Sequence, residues 1–87
     1  AQGDYAAARP YLDRALAIRE KTLGPDHPAT VQSLWWIGTL AEQSGNLVEA
    51  RTYYQRTYDI FVQRLGVDHP HTKNVQEFLN RIDERLS

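Results

Sequence analysis

The sequence predicts an all-α fold, an antiparallel helical-hairpin solenoid fragment of about four helices, and two observations carry that prediction. The segment Leu23-Gly24-Pro25-Asp26-His27-Pro28-Ala29-Thr30 returns 42 positions later as Leu65-Gly66-Val67-Asp68-His69-Pro70-His71-Thr72, with the helical patterns before it in the same register. Between these connectors, apolar residues recur at i, i+3 and i+4, the spacing of one helix face, and no segment carries a strand signal. A fixed period in this range marks an architecture in which each hairpin buries its apolar face on its neighbours. Such stacks chiefly present surfaces for binding.

Ala1-Gln2-Gly3 reads as the tail of a preceding helix, because the matching Gln43-Ser44-Gly45 ends one and Gly is common just past a helix C-terminus. A first helix is expected from an N-cap at Asp4 to Leu23, with Tyr5, Ala8, Tyr11, Leu12, Ala15, Leu16 and Ile18 on its apolar side. Pro10 lies about two turns in, where it removes one hydrogen bond and predicts a slight bend. Gly24 stops this helix, and Asp26-His27-Pro28 opens the next, since a proline in the first turn sacrifices no bonded N–H. The second helix spans about Pro28 to Ser44, with Val31, Leu34, Ile37, Leu40 and Ala41 inward. Trp35 and Trp36 widen that face beyond one packing surface, so one indole is expected at the exterior. Asn46 and Glu49 have the spacing of a capping box at the start of a third helix, Leu47 to Leu65. Val75, Phe78, Leu79, Ile82 and Leu86 mark the inner face of a fourth.

These elements form a single domain over 1–87: the second half of an incomplete repeat (1–24), a complete repeat (25–66) and a C-terminal capping helix (67–87). The cap is inferred from a shift by one period, which aligns Leu34 with Gln76, Gly38 with Asn80 and Ala41 with Asp83, while Trp36, Ile37 and Leu40 align with Phe78, Leu79 and Ile82. One face stays apolar and the opposite face turns polar, as the last helix of a stack requires for solubility. At the other end the helix that should pair with the first one is absent, which leaves apolar surface around Tyr11, Ala15 and Trp36. Patches of more than a few hundred Å² are uncommon on soluble monomers, so that surface is expected to pair with a second copy or a partner.

Composition narrows the function classes. The formal charge is −1, with both signs interspersed, and such a chain gathers neither nucleic acid nor an anionic membrane surface. Cysteine is absent, which fits a reducing, cytoplasmic setting. No apolar run approaches the roughly 20 residues that span a bilayer. His27, His69 and His71 are read as turn residues beside their prolines, since a structural zinc site needs about four ligands. Glu20, Asp59, Glu84, Ser33 and Ser44 form no motif joining nucleophile, base and orienting group. The chain is therefore expected not to be an enzyme, with no catalytic, metal or cofactor-binding residues.

Leu34-x2-Ile37-Gly38-x2-Ala41, then Gly45 and Ala50-x3-Tyr54-x2-Thr57, resembles the tetratricopeptide repeat pattern, and Ala8-x3-Leu12-x2-Ala15 resembles its second half one repeat earlier. The period and the Leu-Gly-x-Asp-His-Pro-x-Thr connector resemble the longer subclass found in kinesin light chains. The resemblance implies a protein-protein interaction module in which the first helix of each pair lines a concave groove for a peptide or partner helix. Carried onto this chain, the groove positions are Gln32, Trp35, Thr39 and Glu42 on the second helix and Asn74, Glu77, Arg81 and Glu84 on the fourth. Where the subclass has an Asn pair that binds peptide backbone, this chain has Trp35-Trp36, so an apolar or aromatic contact is expected there. Trp36 is expected to pack backward as core, and Trp35 to face the groove. The competing readings are a structural element that forms a homodimer through Tyr11, Ala15 and Trp36, and a regulatory domain of a larger multidomain protein.

Overall fold

The computed structural model describes residues 2–87, with side chains from residue 7 onward. Four helices follow one another: α1 (Gln2–Leu23), α2 (Pro28–Gln43), α3 (Leu47–Leu65) and α4 (Pro70–Leu86). Each packs closely on its neighbours in sequence, giving a slab of 37 × 37 × 16 Å, two helix layers deep. Side chains complete the lattice: Arg9 of α1 reaches Tyr53 and Glu49 of α3, and Arg81 of α4 reaches Glu42 of α2.

The two connectors are matching corners. Gly24 and Gly66 have φ of 102° and 89°, a region that L side chains rarely enter, so glycine is needed at both helix ends. His27 and His69 are the N-caps of α2 and α4, with φ/ψ of −65°/143° and −65°/140°. Nδ1 of each imidazole accepts from the amide two residues on, Ala29 or His71, at 3.1 Å. The imidazole thus does what an Asn or Asp oxygen does at other caps, while Pro28 and Pro70 fill the first helical position. The expectation that each connector His serves its turn is met in geometry.

Two expected helix starts are not as read. The backbone is helical from Gln2, so Gly3 does not end a preceding helix; glycine lowers helix stability by about 1 kcal/mol but does not force a stop. The proposed cap at Asp4 and the packing of Tyr5 concern side chains outside the described residues. Asn46, at φ −85° and ψ 72°, makes no side-chain cap hydrogen bond; its own N–H donates to the Ala41 carbonyl at 2.8 Å, and the Glu49 carboxylate, the other half of the expected box, pairs with Arg9 of α1. The helix runs unbroken through Pro10.

The core has two compartments. Leu16, Leu34 and Ile37 are buried with Leu12, Tyr53 and Ile60 packed against them. Ala41, Ala50, Tyr54, Val75, Leu79 and Ile82 form the second, flanked by Trp35, Leu47, Tyr58, Phe61 and Phe78. Gly38 lies where α2 crosses α3: a Cβ there would stand 2.9 Å from the Tyr54 ring. On the outer side of α4, Asn80 and Asp83 are exposed, with Gln76 bonded to Asn80 at 2.9 Å and Asp83 paired with Arg51.

Candidate partner-binding groove

Between α2 and α4, across α3, runs a depression of about 480 Å³. Its apolar lining comes from Val31 and Trp35 of α2, Ile60, Phe61 and Leu65 of α3, and Val75 of α4. Gln32 and Asn74 stand exposed on opposite walls, and His71 lies near Phe61 at 5.9 Å between ring centroids. At one end Arg64 and Asp26 neutralise each other at 2.8 Å. The cleft is therefore greasy in the middle and closed by a balanced pair.

Residues 32, 35, 39 and 42 follow one another at steps of three or four and so share a stripe of α2. Trp35 is half-buried, its indole 5.0 Å from the Tyr54 ring and edge-on to Phe78 at 4.8 Å and 86°. This packing fixes one edge of the indole and leaves part of it lining the cleft. Farther along the stripe the expected site residues are occupied internally. Thr39 donates to the Trp35 carbonyl at 2.9 Å. The Tyr54 hydroxyl donates to Glu42 at 2.9 Å, and its oxygen lies 3.4 Å from Thr39 Oγ1. Arg81 grips Glu42 through two nitrogens, at 2.7 to 3.1 Å, while stacking on Phe78 at 4.3 Å, and Arg85 adds a contact at 3.4 Å. Glu42 and Arg81 thus tie α2 to α4. Burial, reinforced by Glu42, pushes the Tyr54 hydroxyl up to about 12, so it stays a donor at any physiological pH. Glu77 and Glu84 are exposed on α4 and do not line the cleft.

Trp36 is the exposed indole of the pair, at 45%, in keeping with the open patch expected around Tyr11 and Ala15; it is not core, and it lies outside the groove, lining a separate depression with Ala8, Leu12, Thr39, Leu40 and Gln43. One residue along a helix is a rotation of about 100°, which sends the adjacent indoles to different faces. Tyr11 is 74% exposed and Ala15 half-buried.

Phe61, Ile60, Val31 and Val75 line the cleft without having been singled out as site residues. Their signal was present in the repeat: one period earlier, Phe61 and Val75 correspond to Arg19 and Ser33. There Arg19 donates to Ser33 at 2.7 Å and to the Ala29 carbonyl at 3.0 Å. The same station is a polar strut in one unit and an apolar floor in the next.

Among the described residues no group of three or more His, Cys, Asp and Glu is placed to hold a metal ion, and no helix is long and apolar enough to cross a membrane. A family model described as tetratricopeptide repeat matches residues 1–61. Comparison with curated proteins finds no match.

Proposed function

This chain belongs to the tetratricopeptide repeat family, whose members are in general protein-protein interaction modules, and we propose that its α2–α4 cleft receives a partner segment carrying one bulky, uncharged apolar side chain. The anchor enters over Val31, Trp35 and Phe61, while Gln32 and Asn74 hydrogen-bond the main chain on either side of it. The observation that carries this reading is the apolar floor under an uncharged rim: the nearest charges, Asp26 with Arg64 and Glu42 with Arg81, are already paired. A charged anchor would lose its hydration there without gaining a counter-ion. The 42-residue spacing and the matching Asp-His-Pro corners support assignment to the kinesin-light-chain-like subclass. With Trp35 in place of an Asn, its recognition leans on aromatic contact.

The test is selection of displayed random peptides on the chain, followed by titration of a selected peptide while the two indole N–H resonances are followed. The Trp35 resonance is expected to move and that of Trp36 to stay. Gln32→Trp, an exposed substitution that lays an indole over the mouth, is expected to weaken binding about tenfold or more. Peptides rich in charge with no apolar anchor, or a response confined to Trp36, would refute the reading.

A further inference from the structure

Both corners of the chain hang on the same kind of atom. At His27 and at His69 the imidazole Nδ1 accepts from an amide in the first turn of the helix that follows, Ala29 N–H or His71 N–H, at 3.1 Å. An imidazole can accept at a ring nitrogen only while it is neutral; with its second proton both nitrogens are donors. Protonation therefore turns the acceptor into a donor aimed at an N–H, and sets a cation at a helix N-terminus, the end that repels it. The usual cap residues do not fail in this way. Ser, Thr and Asn do not titrate near neutral pH, and Asp stays ionised well below it.

We propose that His27 and His69 make the two corners acid-sensitive latches, closed while the imidazoles are neutral and released as they take up protons. The charges around each cap leave this device intact. At His27, Arg19 of α1 reaches the first turn of α2, donating to the Ala29 carbonyl at 3.0 Å, and Asp26, the neighbouring acid, is held by Arg64 of α3 at 2.8 Å. A proton on His27 meets a cation nearby and a carboxylate already neutralised. At His69, Asp68 is exposed, so water screens its pull. The facing ring is that of His71, at 4.9 Å between centroids, which lies in turn 5.9 Å from Phe61 of α3, and Lys73 follows one turn on in α4. Protonating both imidazoles sets like charges side by side. In the unfolded chain a histidine takes up its proton at about pH 6.5, whereas in the folded chain the cap bond must first be given up. The unfolded state thus binds more protons, and stability falls as the pH falls from about 7.5 to about 5.5. Because α4 supplies one wall of the cleft through Asn74 and Val75, release of its corner loosens that wall whatever the cleft holds.

Urea unfolding followed by circular dichroism at about pH 7.5 and about pH 5.5 tests this. The folding constant of the wild type is expected to fall about tenfold in all, roughly threefold for each cap. His27→Asn and His69→Asn, whose side chains cap without titrating, should each remove one share, and the double variant should hold its urea midpoint across the span. His71→Asn, which keeps both caps, should retain most of the acid loss. If an Asn variant does not fold, nuclear magnetic resonance on isotope-labelled wild type decides: the Ala29 and His71 amide resonances should move in step with the ring of the cap each one serves. An unchanged midpoint in the wild type overturns the proposal, as does an acid loss that persists in the double variant or one that vanishes with His71→Asn alone. Amide resonances that do not follow the cap rings overturn it equally.

Discussion

Gly38 shows how closely a single side chain is fitted to its neighbour. Alanine normally stabilises a helix interior over glycine by about 1 kcal/mol. Here the added methyl would meet the Tyr54 ring at 2.9 Å, and that ring is fully buried with its hydroxyl bonded to Glu42 and Thr39. It cannot swing away without breaking those bonds. Gly38→Ala is therefore expected to destabilise the fold by about 1 to 3 kcal/mol, read as a lower urea midpoint at unchanged slope. The need for a small residue at Gly38 was legible from the repeat pattern. The ring that demands it was not, because Tyr54 is one of several aromatic residues on α3 and only its packing separates it from Tyr53 and Tyr58.

At the scale of the element, both corners use the same device, an imidazole that accepts from an amide in the first turn. Replacing the cap of α4, His69→Ala, leaves that N–H without its side-chain partner and is expected to cost about 1 kcal/mol, with His69→Asn recovering most of it. Chemical denaturation of the two variants side by side checks this. The extents of α2 and α3 could be read within a residue because glycine, proline and cap residues punctuate them from the sequence alone. The start of α1 could not, since glycine marks a helix end only when the surrounding chain calls for a stop, and Gly3 continues into helix. The box at Asn46 does not form: the N–H that Glu49 would accept from is held by the Ala41 carbonyl of the helix before, and the Glu49 carboxylate pairs with Arg9, forty residues away in sequence.

For the whole molecule, packing between sequential neighbours makes stability local. The inner pair, α2 and α3, each have a close backbone neighbour on both sides, whereas α1 packs closely on α2 and α4 on α3, reaching the next helix over only through side chains such as Arg9 and Arg81. Amides of α1 are therefore expected to exchange at least tenfold faster than those of α3. Equal protection in hydrogen exchange would mean that the slab opens as one unit. Part of the cleft was legible: Gln32, Trp35 and Asn74 line it, but Thr39 bonds the Trp35 carbonyl and borders the Trp36 depression, while Glu42 and Arg81 pair with each other. That closure links residues 39 apart in sequence, and no local pattern announces it. The exchange of Arg19 and Ser33 for Phe61 and Val75 has a consequence for longer arrays. A ribbon assembled from such units could alternate adhesive and inert stations along its length, set by two letters per period, while its scaffold stays the same.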